Sequence, residues 1–481
     1  MWVGVDVGTQ SAKAMAVSGR GEVLGRGTSA LLSSRDGVRH EQDPAAWWEA
    51  VAGACRAAVD GLAPERVQGV ATCATSGTIL LVDRDGEPLT PGLMYDDGRA
   101  AEQAARVDEA GVLTARVSPS WALPKLLWML DEWPEVASEG RLAHQADVIT
   151  RHLVGEEVPS DSSHALKTGF DQAREAWPSD ELERLGVPRA SLPEVVRPGT
   201  RLGSVCARTT EETGLPQGTA VIAGMTDGCA AQFAAGALRE GCWNSVLGTT
   251  LVLKGCSARL VEDPGGVLYS HRAPDGGWLP GGASSSGAGV LAQRFADRDL
   301  DDLGHRAEAH ERTDVLAYPL VSRGERFPFS AADADPFVVG EPADEAELFA
   351  ALLQGVAFVE RLCFDFVDLL GAPADGELTL TGGATRSRYW CQLRADVLGR
   401  PVRLVEQSEA AFGMAILAAS SQSDDLVAVA GRMVRTKEVI EPRRDRAGAF
   451  GERYLRFVAE LERRGWLGAQ LADHARSRNL G

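Results

Sequence analysis

WVGVDVGTQSAKAMAVS, residues 2–18, sets two short β-branched runs on either side of Gly8-Thr9-Gln10-Ser11. Val3 to Val7 and Lys13 to Val17 read as strands joined by a tight glycine turn, a hairpin and not a strand-to-helix turn. Asp6 stands where the first strand ends, and the turn adds a glycine backbone, two hydroxyls and the nearby Lys13 ammonium. Successive N–H groups of such a turn form an anion-binding concavity, and Gly8 lets a phosphate come close to the backbone. Asp6 is then placed to hold Mg²⁺ through water, since that ion keeps several of its waters. The same stretch is equally an N-terminal hairpin that only nucleates a sheet.

The chain around it has 481 residues, too many for one core, and two large lobes fit that length. Apolar residues at 44% and charged residues at 24% are ordinary for a globular protein, so disorder is not indicated. A formal charge of −19 argues against nucleic-acid and anionic-membrane partners, but leaves room for a local cationic pocket. The expected substrate is small. Eight cysteines without a C-x-x-C pair signal neither a zinc site nor a disulfide framework. No run has the length of a membrane span, and residues 1–20 lack a basic start followed by an apolar stretch, so a cytoplasmic location is expected.

Further along, Val23 to Leu31 reads as a third strand. A helix follows, with Asp43 as N-cap, Pro44 at N1, and Trp47, Val51, Ala54, Cys55 and Ala58 at helical spacing. Gln68 to Thr72 is a short strand leading into Cys73-Ala74-Thr75-Ser76-Gly77-Thr78, and Ile79 to Val82 resumes as a strand. Ser76 and Asp97 stand where loops at strand ends carry binding groups, and both are equally readable as turn residues, Asp97 above all. Residues 100–180 read as mainly helical, with Lys125-Leu126-Leu127-Trp128-Met129 on an apolar face. His164 reads as a satisfied polar contact. The other seven histidines are as isolated, which leaves a Ser-His-Asp hydrolase without support.

In Val221 to Gln232 a strand ends at Ala223 and a small-residue helix begins near Asp227. A carboxylate at a helix's first turn is held ionised by the macrodipole and free amides, although a plain N-cap reads the same way. Residues 240–254, EGCWNSVLGTTLVLK, repeat the opening hairpin around Gly248-Thr249-Thr250, without a counterpart of Asp6. Two such hairpins suggest a duplicated lobe. Gly281 to Gly289 is too small and flexible for core and suits a hinge or a close helix contact. Glu377 to Thr381 is a strand stopping at Gly382-Gly383-Ala384-Thr385-Arg386-Ser387, where bare backbone accepts a flat base or ribose. Val402 to Val405 and the helix from Glu409 to Ala419 are expected to complete this second lobe. The last sixty residues read as charged helices over the surface.

In this order the stretches resemble the FGGY carbohydrate kinases, of the superfamily that also contains hexokinase, actin and the Hsp70 ATPase. Asp6-Val7-Gly8-Thr9 resembles the first phosphate motif, Gly248-Thr249-Thr250 the second, and Gly382-Gly383-Ala384 with Ser387 the adenosine motif. Gly324, opening Gly-Glu-Arg-Phe-Pro, resembles a second contact on the nucleotide side. Lys125 to Met129 resembles a family signature, and Asp161 to Asp171 a loop of pentulose kinases. The resemblance implies an α/β fold of two duplicated ribonuclease H-like lobes, residues 1–238 and 239–481, with an ATP cleft between them. It implies ATP and Mg²⁺ as cofactors. Asp227 would be the general base toward a terminal sugar hydroxyl. Asp6 would support Mg²⁺ and, with Ser76, Gly77 and Asp227, face the sugar, while Gln10 and Lys13 would join Gly8 and Thr9 at the phosphates.

Where xylulokinases carry Gln-Met-His-Gly, this chain has Ala74-Thr75-Ser76-Gly77, and the lost imidazole contact favours D-ribulose over D-xylulose. D-xylulose or another sugar or polyol of the family is the alternative. From another class, a nucleotide-driven switch or a phosphatase on the same fold would share the hairpins. The partner expected is a small-molecule sugar, with no nucleic acid and no membrane. The oligomeric state stays open, a homodimer being one option.

Overall fold

The computed structural model describes residues 1–113, 117–422 and 425–479. The β-branched runs of the opening form the expected hairpin. Strands Trp2–Val7 and Ser11–Val17 pair antiparallel with Asp6 opposite Lys13, and Val3, Val5 and Val7 are fully buried on one face. Strand Val23–Ala30 extends the hairpin. On its other side Trp2–Val7 takes Gly69–Ala74 in parallel, which in turn takes Ala220–Ile222 in parallel, with Arg201–Ser204 antiparallel at the edge. Helix Pro44–Val59 starts as its sequence requires, with the Asp43 carboxylate accepting from Ala45 N at 2.9 Å and proline in the first turn. It lays Trp47, Val51, Ala54 and Ala58 over the hairpin strands.

The same plan recurs after residue 240. Trp243–Leu247 and Leu251–Gly255 form a hairpin extended by Trp278–Ala283, all antiparallel. On the far side Trp243–Leu247 pairs in parallel with Leu378–Thr381, then Val402–Val405 in parallel, and Thr436–Ile440 antiparallel at the edge. Three antiparallel strands, two parallel ones and an antiparallel edge therefore occur twice, as the repeated hairpins suggest.

Contacts divide the chain into two units. One comprises 1–236, 271–279 and 407–435, the other 237–270, 280–406 and 436–481. The expected boundary at 238 and 239 lies beside the first crossing, and the chain crosses again later. Three expectations change with this architecture. Helix Ala410–Ser420, expected in the second lobe, packs against Trp2–Val7 and against helix Asp227–Ala234 of the first unit, because its alanines allow close approach on every side. Gly281 to Gly289, expected to be too small and flexible for core, is in part core: Gly281, Gly282 and Ala283 pair with Leu251–Gly255, and Ser284 and Ser286 are fully buried. The last sixty residues are not a surface layer. Helix Arg444–Arg463 buries Phe450, Tyr454, Phe457, Val458 and Leu461 in the second unit's core, and with them Arg453, which donates to the Glu311 and Thr313 carbonyls.

Residues 100–180 contain helices Ala101–Ala110, Ala122–Glu132 and Gln145–Val154, but also strands Arg141–His144 and Ser160–Asp161. Among the described residues no helix is long and apolar enough to cross a membrane.

Candidate active site

At the first hairpin the backbone is used asymmetrically. Gly8 N donates to Ser11 O at 3.0 Å, Thr9 O accepts from Gln42 Nε2 at 2.6 Å, and Gln10 O accepts from Leu31 N at 2.8 Å. The amides of Thr9 and Gln10 have no acceptor among the described residues. Carbonyls tied back and amides left over are what a phosphate-binding turn needs. A Cβ on Gly8 would meet only Ser11 O, at 3.4 Å, so this glycine leaves open space. Asp6, Gly8, Thr9, Gln10 and Lys13 line one cavity of about 400 Å³ with Ser11, Arg35 and Tyr95. Arg35 and Tyr95 were not anticipated. Burial raises the Tyr95 phenol above the ordinary value, with the nearby Asp96 charge adding to it.

Asp6 sits on the strand next to Cys73, whose Sγ lies 3.6 Å from its Oδ1. Burial, and next the negative charge of Asp227, raise the Asp6 carboxyl to about 6, against the pull of Lys13. Two carboxylates therefore share this part of the unit. Asp227 is not the N-cap of its helix; Thr226 is, and Asp227 opens the first turn, its Oδ1 accepting from Gly228 N at 2.7 Å. Its place is fixed from behind: Ser163 Oγ accepts from Thr226 N at 3.2 Å and lies 3.1 Å from Thr226 Oγ1, while Thr226 bridges to Ala74. The Asp161 to Asp171 loop thus holds the start of the Asp227 helix. His164, fully buried, pairs with Asp161 at 2.6 Å and reaches the Ala74 carbonyl at 3.3 Å, a satisfied polar contact.

Ser76 and Gly77 lie in the turn after Gly69–Ala74 and do not line the Asp6 cavity. Thr75 turns inward, its hydroxyl donating to Gln145 Oε1 at 2.8 Å. Ser76 Oγ has no hydrogen-bond partner among the described residues. The turn is held by lysines: Lys167 Nζ donates to Ser76 O at 3.2 Å, and the fully buried Lys125 Nζ donates to Gly77 O, Leu93 O and Met94 O at 2.7, 3.3 and 2.6 Å. In the sequence Lys125 shows as a single cation inside an apolar helical face, in the stretch that resembles a family signature. Asp97 is more than a turn residue. Fully buried, it accepts from His40 N at 2.7 Å and from Arg99 Nε at 2.9 Å, and Arg99 also reaches Glu41 and stacks over Trp128. Burial works to raise Asp97, and the bonds and charge of Arg99 together with the bond from His40 N outweigh it and hold the carboxyl below the ordinary value.

In the second unit the turn Gly248-Thr249-Thr250 shows the same asymmetry. Gly248 O accepts from Ala288 N, Thr249 O from Gly289 N, each at 3.0 Å, and Thr250 O from Gly248 N at 3.1 Å. The amides of Thr249 and Thr250 have no acceptor among the described residues, and a Cβ on Gly248 would meet nothing within 4 Å. Gly382 and Gly383 part company. Gly382 has φ +89 and a Cβ there would lie 2.5 Å from Leu247 O, a backbone requirement, whereas Gly383 borders open space. Ala384 is nearly buried, and Ser387 Oγ caps the next helix by accepting from Trp390 N at 3.2 Å. Gly324, at φ +95, donates to Ala334 O at 2.8 Å, and the next residue, Glu325, is a buried carboxylate absent from the expected site.

Among the described residues no three or more His, Cys, Asp or Glu side chains converge as a metal cage. Asp6 beside a second carboxylate fits a cation bound chiefly through water, the manner of Mg²⁺.

A twice-built sheet of three antiparallel and two parallel strands, each copy with such a turn, is the fold shared by hexokinase, actin and the Hsp70 ATPase. Residues 1–234 match the N-terminal domain, and residues 243–421 the C-terminal domain, of the FGGY family of carbohydrate kinases. The chain belongs to this family, and is an ATP-dependent sugar kinase. A xylulose kinase of Streptomyces coelicolor is 32% identical over 450 residues, 89% of this chain and 90% of that one. An apulose kinase of Pectobacterium atrosepticum is 27% identical over 474 residues, 91% and 93% of the two chains. The crystal structure of xylulose kinase from Rhodospirillum rubrum superposes with a TM-score of 0.87 at 27% identity, covering 96% of this chain and 98% of that one.

Proposed function

We propose that the chain transfers the γ-phosphoryl group of ATP to the terminal hydroxyl of a pentulose, with Asp227 as general base. The observation carrying this reading is the carboxylate pair: Asp227 at a helix's first turn, close enough to Asp6 to raise it, beside an open turn with unpaired amides. Asp227 takes the proton of the attacking hydroxyl as the bond to phosphorus forms, and the helix N-terminus keeps it ionised until then. Thr9 and Gln10 amides and Lys13 meet phosphate oxygens, and Gly8 gives them access. Asp6 would hold Mg²⁺, which when bound neutralises charge on the phosphates. In the second unit Gly248, Thr249, Thr250 and Gly383 are nucleotide contacts, with Gly324, Gly382, Ala384 and Ser387 shaping the backbone around them. Ser76 and Gly77 face the sugar, and the unpartnered Ser76 hydroxyl supports that role.

The names of the relatives support D-xylulose. Thr75 and Ser76 in place of the expected imidazole support D-ribulose, its C3 epimer. The test is coupled ADP release with Mg-ATP against D-xylulose, D-ribulose, L-ribulose, sedoheptulose, gluconate and glycerol, beside Asp227→Ala. One sugar should raise turnover far above background, and the variant should lose about 10³-fold or more in kcat. Turnover without sugar that equals turnover with it, unchanged in the variant, would instead indicate a switch or phosphatase.

A further inference from the structure

The second phosphate turn owes its shape to a carboxylate that does not belong to it. Glu325 is 3% exposed and takes six donors: Ser284 Oγ at 3.0 Å, Ser286 Oγ at 3.2 Å and Tyr318 OH at 2.8 Å on Oε2, and Ser285 N at 2.6 Å, Arg326 N at 3.0 Å and Phe327 N at 3.5 Å on Oε1. Three of the six come from the consecutive serines Ser284 to Ser286. That segment clasps the residue following the turn from both sides, Ser284 N donating to Leu251 O at 2.9 Å and Leu251 N to Ser286 O at 2.8 Å. The next residues lie on the turn itself. Gly287 is packed so closely that a Cβ would sit 2.4 Å from Thr249 O, and Ala288 and Gly289 take the carbonyls of Gly248 and Thr249.

We infer that Glu325 is a positioning residue for nucleotide binding: by fixing Ser284 to Ser286 it turns the carbonyls of Gly248 and Thr249 inward and leaves the Thr249 and Thr250 amides for a phosphate. Without the carboxylate the three serines lose their common acceptor, the segment over the turn is free to shift, and the amides lose their aim. The inference rests on the reading of Gly248 to Thr250 as a phosphate contact.

Four variants test it through KM for ATP, KM for the sugar, the Kd of a fluorescent ADP analogue, and Tm. Glu325→Gln keeps the volume but cannot accept at both oxygens, and should raise KM for ATP and the analogue's Kd about tenfold, with KM for the sugar within about twofold. Ser284→Ala with Ser286→Ala should do the same without touching the carboxylate. Tyr318→Phe removes from the shared Oε2 the one donor that does not come from the serine segment, leaves all three serine bonds in place, and should lower Tm while leaving KM for ATP in place. Gly248→Val, at a position with space for it, should weaken ATP directly. Equal rises for ATP and sugar, or Tyr318→Phe matching the serine pair, would overturn the positioning role. If Gly248→Val weakens ATP while neither Glu325→Gln nor the serine pair does, the positioning role fails and the phosphate reading stands. If Gly248→Val leaves ATP unaffected, the phosphate reading falls and the inference with it.

Discussion

Asp6 is held at a disadvantage. A carboxyl moved from 3.8 to about 6 by burial and by Asp227 binds a proton more readily folded than unfolded. In that pH window the folded state carries more protons, so Asp6 subtracts stability as pH rises through it, by on the order of 2–3 kcal/mol at neutrality. Asp6→Asn should therefore raise Tm at pH 7.5 while abolishing activity, and the gain should vanish near pH 4. In the unaltered enzyme kcat/KM should fall as pH drops through about 6, where Asp6 takes up its proton. Scanning calorimetry and a pH–rate profile read the two effects. Lys125 presents the opposite case, a cation that burial pulls down to about 7 and that three carbonyls nonetheless surround. Lys125→Met would leave those carbonyls without a donor, so about 2–4 kcal/mol of stability should be lost in urea unfolding. KM for the sugar should rise as well, because Gly77 and Met94 border Ser76 and Tyr95. The places of Asp6 on its strand and of Asp227 in a helix's first turn were legible, because strand ends and helix starts announce themselves in residue types, whereas the roles proposed for them came from the family resemblance. Lys125, Asp97 and Glu325 were not, since a buried charge is recognised only by partners scattered along the chain.

At the scale of elements, the hairpins illustrate what a local pattern carries. Their strands, their turns and their repetition follow from β-branched runs around Gly-Thr, and the structure returns all three. The orientation of the amides does not follow from that pattern. In the first turn it depends on Gln42 and Leu31, and in the second on Ala288 and Gly289. The helix Ala410–Ser420 shows the converse, an element whose existence was plain and whose neighbour was not. Alanine and glycine give it apolar surface all round, so periodicity names no face, and only a close fit decides where it packs. That fit is at Gly4, where a Cβ would lie 1.7 Å from Ala411 O and 2.5 Å from Ala415 N. Gly4→Ala should thus push the helix off the strand and remove about 3 kcal/mol or more, read as a lower urea midpoint. Asp6, on the same strand, should lose its setting too, and activity should fall further than stability alone explains.

For the molecule as a whole, the return of residues 407–435 to the first unit matters more than the nominal division near 238. A fragment of residues 1–236 keeps the whole six-stranded sheet, but lacks the helix that covers Trp2–Val7 and the Asp227 helix. It should expose that apolar face, bind a hydrophobic dye and aggregate. Adding residues 407–435 through a flexible linker should restore a cooperative transition. Composition and length suggested two lobes, and the duplicated sheet agrees. That the chain returns late to finish the first one was hidden, because nothing local distinguishes a helix that stays from one that goes back.

The opening hairpin leaves the ribosome long before the helix that seals it. Until residues 407–435 follow, the nascent chain therefore offers an uncapped sheet to whatever chaperone is at the tunnel exit, and the first strand cannot lock in place early. The arrangement also acts as a check on completeness: a chain cut short before residue 407 lacks the helix that covers Trp2–Val7 and Asp227–Ala234, and exposes a face that the cell's proteases can recognise as unfinished.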